Sequence, residues 1–284
     1  MTVSREELAA RRARYIEQMG RGVAIVPSAP TFIRNNDVEH EYRQDSVFFY
    51  LTGFDEPESV LVLSTEHPTH RTVVFARKRD KDREIWDGPR AGVEGAKELL
   101  NADAAFPIDE LEQRLPDYLA DARRLHYRLA VHPAFDAIVF RAIEAVRRKV
   151  RTGVVAPSEI VDLSRDLHEM RLLKSEAELA TMARAAEISR DAHARAMAAA
   201  RPGAFEYEVE AEILRAYRAH GAERPAYGSI VGSGPNATIL HYRRNDRQLR
   251  DGDLLLIDAG AEYGYYASDV TRTFPVGGRF SRAQ

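Results

Sequence analysis

The chain has 284 residues, of which 44% are hydrophobic and 30% are charged, with a formal net charge of −3 and no cysteine. This length and composition are typical of a soluble globular protein with room for two domains. The charge leaves no basic excess to neutralise phosphates, which argues against a nucleic-acid-binding protein. The lack of cysteine excludes disulfides, a thiol nucleophile and cysteine-ligated zinc, so a bound metal must be held by oxygen and imidazole nitrogen.

The N-terminus gives no targeting signal. Residues 1–15 are charged and lack the apolar segment of a secretory signal. No apolar run in the chain approaches the roughly 20 residues of a transmembrane helix. We therefore expect no membrane association and a cytoplasmic location by default.

The first half of the chain alternates predicted strands and helices, which is typical of an α/β domain. Ser4 and Glu7 have the spacing of a capping box and predict a helix that ends near Gln18. Apolar patterns predict strands at 23–26, 47–51, 60–63 and 72–76, and helices at 92–100, 109–122 and 135–150. The charged run 77–83 alternates in sign and predicts a solvated loop. Trp86 follows in turn-rich sequence, where an exposed interface or substrate anchor and a partly buried loop aromatic are both compatible with the pattern.

The second half predicts two helices followed by strands, as in an α+β domain. Ser175 and Glu178 form a second capping box that opens a long alanine-rich helix, which should end by Arg201 because Pro202-Gly203 cannot continue it. Helical spacing predicts the buried stripe of that helix at Leu179, Met182, Ala183 and Ala186. A second helix is predicted at 206–220, and strands at 228–231, 238–242, 254–258 and 266–274.

Two aspartates lie at the predicted hairpin near the C-terminus. Asp258 ends an apolar strand, a β-branched and aromatic run follows Asp269, and Gly264 between them can take the positive φ of a tight turn. If Tyr263-Gly264 is the turn, the two aspartates face each other with Cβ atoms roughly 4.5–5.5 Å apart. Carboxylates that close need a shared proton or a cation, which predicts a metal site. Two loop aspartates on opposite faces of a frayed hairpin explain the spacing about equally well.

His241 is the one histidine in a predicted apolar strand near this hairpin. In isolation, the simpler interpretation is a half-buried histidine bonded to a backbone carbonyl. The other histidines are interpreted as structural or exposed: His40, His67, His70, His126, His132, His168, His193 and His220. The glycine-rich segment 232–236 lacks the lysine and the following helix of a phosphate loop, so we interpret it as a tight turn.

Several long motifs occur in a fixed order along almost the whole chain. They lie at 35–37, 42–46, 50–58, 84–88, 171–176, 230–234, 239–242, 256–260 and 268–273. Together these motifs resemble the Xaa-Pro aminopeptidases (aminopeptidase P) of the creatinase-like "pita-bread" metallopeptidases. The resemblance implies an α/β, ribonuclease-H-like creatinase N-terminal domain at 1–172. It implies the first half of an α+β pita-bread catalytic domain at 173–284.

The resemblance also implies the chemistry. Asp258 and Asp269 would be the first two of five ligands to two divalent metal ions, usually Mn²⁺, with Asp269 bridging the ions. A metal-bridging water or hydroxide would attack the peptide carbonyl between an N-terminal residue and a following proline. His241 would hydrogen-bond the substrate or the tetrahedral intermediate, and Tyr227 would lie beside the metal pocket. Trp86 would reach into a neighbouring subunit's active site, so a homo-oligomer (dimer or tetramer) is expected.

The remaining ligands of the family, one histidine and two glutamates, would follow Gln284. We therefore expect this chain alone to be inactive, and a C-terminal fragment of the same enzyme to dock non-covalently and supply them. Within the enzyme class, the alternative is a prolidase that cleaves Xaa-Pro dipeptides, with creatinase-like chemistry on a guanidino compound more distant. A non-catalytic fragment acting as an interaction or scaffold protein is the alternative from a different class.

Overall fold

The structure, a computed structural model, describes residues 3–284. These residues form two compact units, Val3–Leu173 and Lys174–Gln284. Within the described residues, no helix is long and apolar enough to cross a membrane. The cytoplasmic location expected from the sequence stays a prediction.

The first unit alternates helices and strands, which confirms the predicted α/β organisation. In chain order its elements are α1 (Arg5–Met19), β1 (Val23–Pro27), β2 (Ile33–Asn35), β3 (Val38–Glu39), α2 (Ser46–Thr52), β4 (Val60–Ser64), β5 (Thr72–Ala76), α3 (Lys81–Asp87), α4 (Gly92–Leu100), β6 (Ala104–Pro107), α5 (Leu111–Leu119), β7 (Arg124–His126), α6 (Pro133–Arg147), β8 (Glu159–Val161) and α7 (Ser164–Leu172). Ser4 caps α1 as predicted, since its hydroxyl accepts a hydrogen bond from the Glu7 N–H.

A six-stranded sheet in the order β6-β5-β4-β1-β7-β8 forms the centre of the first unit. β4 is antiparallel to both neighbours, and the other pairs are parallel. Along β1, Ala24 and Val26 pack into one apolar cluster, with α1, α2, α4 and α7, whereas Val23 and Ile25 pack into another, with α5 and α6. The sheet is therefore covered on both faces, as its continuous apolar strands require.

The strand predicted at 47–51 is wrong, because these residues form α2. The Asp45 carboxylate caps this helix by accepting hydrogen bonds from the N–H groups of Val47 and Phe48, both at 2.9 Å. Gly53, with φ of 61°, ends it. The apolar run is buried on most sides of the short helix, so its hydrophobic pattern could not distinguish a helix from a strand.

Trp86 lies in α3 and not in a turn-rich loop, so that part of the prediction is wrong. Asp80 caps α3 by accepting from the N–H groups of Asp82 and Arg83 at 3.1 and 3.2 Å. The Trp86 side chain is 84% exposed. The partly buried loop aromatic is therefore wrong, and the use of the exposed ring as an interface or substrate anchor stays a prediction.

The second unit has two helices followed by strands, as predicted. Its elements are α8 (Glu176–Ala199), α9 (Glu206–Ala219), β9 (Arg224–Pro225), β10 (Ile230–Ser233), β11 (Leu254–Ala259), β12 (Ala261–Tyr263), β13 (Tyr266–Ala267) and β14 (Val270–Pro275). The strands form two three-stranded sheets in the orders β10-β11-β14 and β13-β12-β9. The predicted capping box of Ser175 and Glu178 is present at the start of α8.

The buried stripe predicted for α8 is wrong. Leu179 is 54% exposed, whereas the buried side carries mostly small or short polar residues. These are Glu178, Thr181, Ala185, Ile188, Ser189, Ala192, His193 and Ala196. Short hydroxyl side chains can be buried here because they find partners nearby; the Thr181 hydroxyl donates to the Ala177 carbonyl at 2.8 Å.

Candidate metal centre

The alternation of β11 places Asp258 on the side of the sheet that faces away from the core. Leu255, Ile257 and Ala259 are buried in the apolar cluster with α8 and α9. Asp258 points to the other face with Leu256, and both are half-buried. The carboxylate therefore lies on an open face where a ligand could reach it.

The hairpin register differs from the predicted one. Asp258 pairs with Thr271, and Tyr263 pairs with Tyr266, so Gly264-Tyr265 is the two-residue turn. Both turn residues have positive φ, 57° and 67°, which is the requirement of a type I′ turn. The expectation that Asp258 and Asp269 are directly opposed is wrong, because the turn lies one residue later. Asp269 is instead two positions from the partner of Asp258, on the same face and diagonal to it.

Tyr227 joins the two aspartates. Its hydroxyl lies 2.5 Å from Asp258 Oδ1 and 2.9 Å from Asp269 Oδ1. The two carboxylate oxygens are therefore within about 5.4 Å of each other. This contact rules out aspartates on opposite faces of the hairpin. Burial, and then the hydrogen bonds to both carboxylates, raise the pKa of Tyr227 above its usual range, so the hydroxyl stays protonated.

The position of Asp269 depends on a close crossing of backbone at Gly260. An ideal Cβ added to Gly260 would lie 1.7 Å from the Ser268 carbonyl oxygen, so only glycine fits there. On one side of the crossing, the Ser268 N–H donates to the Ala261 carbonyl at 3.0 Å. On the other, the Ala226 N–H donates to the Gly260 carbonyl at 2.8 Å, which fixes the chain just before Tyr227. The same crossing therefore positions both Asp269 and Tyr227.

Side chains of helix α8 make hydrogen bonds to the residues at this crossing. The Ser189 hydroxyl accepts from the Ala261 N–H at 2.9 Å and lies 2.8 Å from the Ser268 hydroxyl. One turn later, the buried His193 has Nε2 3.3 Å from the Ala259 carbonyl, and burial lowers its pKa. The sequence interpretation of His193 as structural agrees with this position. Ser189 and Ser268 were missed, and the only signal for Ser189 was its i, i+4 spacing from His193 on one helix face.

His241 is not in a strand. Residues Gly234–Thr238 form a 3-10 helix with Pro235 in its first turn, and His241 lies in the turn that follows. The His241 side chain is exposed, so the half-buried interpretation is wrong as well. Within residues 3–284, no hydrogen bond or ion pair links it to Asp258 or Asp269. The structure thus brings Tyr227 and the two aspartates together, while His241 remains on an exposed loop of the same unit.

The two aspartates fit a divalent cation in the kind of atom they offer. Carboxylate oxygens are the hard ligands that Mn²⁺ and similar ions prefer, whereas the Tyr227 hydroxyl beside them stays protonated. Among the described residues, however, no group of three or more His, Asp or Glu side chains could hold a metal ion. Catalytic metals usually have at least three protein ligands. Asp258 and Asp269 therefore make up part of a metal site.

Comparison with known proteins identifies both units. Residues 8–127 match the aminopeptidase P N-terminal domain, and residues 180–284 match metallopeptidase family M24. The chain joins an aminopeptidase P N-terminal domain to part of an M24 metallopeptidase domain. The family and fold class predicted from the sequence motifs are thereby confirmed.

Individual relatives agree with this assignment. The Xaa-Pro aminopeptidase of Escherichia coli (strain K12) is 46% identical over 284 residues, which cover 99% of this chain and 64% of that protein. Human Xaa-Pro aminopeptidase 3 is 33% identical over 266 residues, which cover 92% of this chain and 51% of that protein. The structure of Pseudomonas aeruginosa aminopeptidase PepP matches with a TM-score of 0.97 at 50% identity, covering 99% of this chain and 64% of that chain. This chain thus spans between half and about two thirds of the length of these relatives.

Proposed function

We propose that this chain contributes the N-terminal domain, 1–172, and the first half of the catalytic domain, 173–284, of a metal-dependent aminopeptidase. The enzyme would hydrolyse the bond between an N-terminal residue and a following proline. The observation that carries the proposal is the pair of carboxylates, Asp258 and Asp269, that converge on the Tyr227 hydroxyl. The relatives support the substrate class, since E. coli aminopeptidase P structures include one in complex with substrate and one with the inhibitor Pro-Leu.

The proposed cofactor is a pair of divalent ions, with Mn²⁺ as the metal. Asp258 and Asp269 would be the residues of this chain that hold the ions. Bound divalent cations supply an activated water and neutralise negative charge that develops on the carbonyl oxygen. A zinc-substituted E. coli aminopeptidase P is among the matching structures, which supports a divalent site and leaves the choice of metal to experiment.

The other residues would act on the substrate side of this centre. Tyr227, protonated and placed beside both carboxylates, can hold them in position by donating its one O–H to either of them. His241, exposed on its loop, would donate a hydrogen bond to the substrate carbonyl or to the tetrahedral intermediate, where such donors stabilise developing charge. Since two carboxylates are too few for the site, we propose that a further polypeptide segment, a C-terminal fragment of the same enzyme, supplies the remaining ligands.

We also propose that the protein acts as a homo-oligomer, a dimer or a tetramer. Trp86 supports this proposal because its large apolar ring is 84% exposed on α3, where no residue is buried. Exposed aromatic side chains are typical centres of protein interfaces. Size-exclusion chromatography with light scattering would compare the wild type with Trp86→Ala. The variant should have a lower molar mass than the wild type, and equal molar masses would contradict a role of Trp86 in the interface.

Metal binding and cleavage test the proposed function together. The purified protein, with any companion polypeptide revealed by intact mass and gel analysis, is stripped of metal and titrated with Mn²⁺. It is then incubated with an Xaa-Pro-Yaa tripeptide, an Xaa-Ala-Yaa control and an Xaa-Pro dipeptide. We expect Mn²⁺-dependent release of Xaa from the first peptide only. Cleavage of the dipeptide alone would favour a prolidase.

Two variants separate the site from the rest of the surface. Asp258→Asn should weaken Mn²⁺ binding and abolish cleavage, whereas Asp251→Asn, an exposed aspartate of the same unit, should leave both unchanged. Full activity after exhaustive metal removal would contradict the metal mechanism. Fewer than about one ion per chain together with no cleavage would favour a non-catalytic interaction protein.

A further inference from the structure

The loop that carries His241 is held at both ends by one buried side chain. We define the His241 loop as residues 234–241; it begins after Ser233 and ends before Tyr242. Its tip is solvent-exposed, with Leu240 88% and Ile239 51% exposed. Exposed backbone of this kind opens easily unless its stems are fixed.

Glu206, at the start of α9, supplies the fixed point. Its side chain is 0% exposed, yet the carboxylate receives hydrogen bonds from both stems. Oε1 accepts from the backbone N–H and the hydroxyl of Ser233, both at 2.7 Å, and from Asn236 Nδ2 at 3.3 Å. Oε2 accepts from the Tyr242 hydroxyl at 2.7 Å and from the Arg247 N–H at 3.0 Å. A buried carboxylate with this many donors is satisfied only while both stems stay in place.

The guanidinium of Arg247 is paired with another carboxylate, and the buried Asn245 side chain joins the chain further out, at Ser229 and Val231. Arg247 Nη1 donates to the Ser233 hydroxyl at 2.7 Å and to Asp253 Oδ2 at 2.5 Å. The Arg247 guanidinium is thus engaged by Asp253, and Arg247 meets Glu206 through its backbone N–H. The carboxylate is therefore balanced by neutral donors from the loop stems, and removing its charge weakens those contacts first.

We propose that Glu206 is a positioning residue for His241: its carboxylate ties the two stems of the His241 loop together and so fixes where the imidazole stands. The inference rests on the proposed function only for the role of His241 in cleavage. Glu206 itself touches neither Asp258 nor Asp269 and is not a catalytic residue.

Hydrogen exchange of the purified chain tests the anchor without any activity. Glu206→Gln keeps the shape of the side chain but turns an NH₂ group toward N–H and O–H donors. We expect amides of residues 234–245 to exchange about 10- to 100-fold faster, as the loss of partners for buried donors implies. Amides of α8 and β11 should change much less. The matched control is Glu212→Gln on the same helix, whose carboxylate pairs with Arg215 at the surface and should change neither region.

A milder variant keeps the test decisive if Glu206→Gln fails to fold. Tyr242→Phe removes one donor to Oε2 and should accelerate exchange of the same segment by a smaller factor, about 3- to 10-fold. Unchanged exchange at 234–245 in both variants would overturn the proposal. Uniform acceleration across the whole second unit would also overturn it, because Glu206 would then be a general stabiliser.

The link to His241 has its own measurement. In an assembly that cleaves Xaa-Pro-Yaa peptides, Glu206→Gln should lower kcat/KM about tenfold or more in the wild-type background and cause little further loss in a His241→Ala background. Fully additive losses would show that Glu206 does not act through His241. If the wild type cleaves no such peptide, the proposed function fails, and the exchange comparison alone decides whether Glu206 anchors the loop.

Discussion

Gly260→Ala tests the backbone crossing on which the aspartate pair depends. The new Cβ would lie 1.7 Å from the Ser268 carbonyl oxygen and 2.6 Å from its carbonyl carbon. Side-chain Cβ atoms essentially never approach other atoms within 3.0 Å, so the two segments must separate by at least about 1.3 Å. The obstacle is backbone, which cannot rotate away as a flexible side chain would.

The expected cost follows from the contacts that this separation breaks. Overpacking in a close-packed region costs about 1–3 kcal/mol. Two hydrogen bonds would be lost as well, from the Ser268 N–H to the Ala261 carbonyl and from the Ala261 N–H to the Ser268 hydroxyl, at about 1 kcal/mol each. We therefore expect the free energy of unfolding of the second unit to fall by about 3–5 kcal/mol. Displacement of Ser268 would also move Asp269 away from Tyr227.

Hydrogen exchange read separately for the two units is the suitable assay, because the only tryptophan, Trp86, lies in the first unit and cannot report on the second. Amides of β11 and β14 should exchange about 100-fold faster or more in Gly260→Ala, and those of β1 and β4 should be unchanged. Gly228→Ala is the control, since its Cβ would meet only the Arg243 side chain at 3.4 Å and should shift stability by about 0.5 kcal/mol or less. Wild-type exchange in Gly260→Ala would refute the argument that the crossing is closed to a methyl group.

Three further changes test other parts of the molecule. Tyr227→Phe removes the hydroxyl shared by the two aspartates. Without metal, the second unit should lose about 1 kcal/mol of stability and unfold at a lower urea concentration, and added Mn²⁺ should restore it. An unchanged urea midpoint would contradict the stabilising role of the hydroxyl. Arg12→Met should destabilise the first unit by about 2–4 kcal/mol in urea unfolding, because the buried guanidinium donates to carbonyls at the ends of α2 and α4. Arg14 is exposed, so the control Arg14→Met should cost far less. Burial lowers the pKa of His126, so as the pH falls the unfolded chain takes up a proton on this histidine before the folded chain does. The stability due to neutral His126 is complete above about pH 6.5 and is lost below it. His126→Phe should reduce this dependence of stability on pH in urea unfolding between pH 8 and pH 5.

Local signals predicted much of the secondary structure. The capping serines, Ser4 and Ser175, mark the starts of α1 and α8 because a hydroxyl in that position satisfies an N–H that the helix leaves free. Regions 60–63 and 72–76 were found because continuous apolar runs of that length are typical of strands buried on both faces. The strand at 47–51 was wrong because a short helix packed on several sides has the same apolar run. What distinguished it was Asp45 just before it and Gly53 just after it.

The grouping of the candidate residues could be anticipated from the sequence, but not their geometry. The family resemblance singled out Asp258, Asp269 and Tyr227, and the structure brings their side chains together, while their roles stay predictions. The predicted register was wrong because the turn consists of Gly264 and the residue after it, not the residue before it. Tyr265 adopts the positive φ that the second turn position needs, although it is not glycine. The surroundings of His241 could not be predicted from its own segment, because the loop is fixed by Glu206, which lies 35 positions earlier in the chain.

The diagonal placement changes how the two carboxylates tolerate each other. Direct opposition would have required a shared proton or a cation, whereas the diagonal leaves a gap that a neutral hydroxyl spans. Tyr227 fills that gap, but its O–H has one proton and can donate to only one of Asp258 and Asp269 at a time. The oxygen of the other carboxylate then faces a lone pair of the hydroxyl, with the two oxygen atoms under 3 Å apart. A hydroxyl therefore compensates the pair only in part, and a cation that both carboxylates can bind at once would compensate it fully. For this reason the aspartate pair still favours a metal, even though its register is not the one that first suggested it.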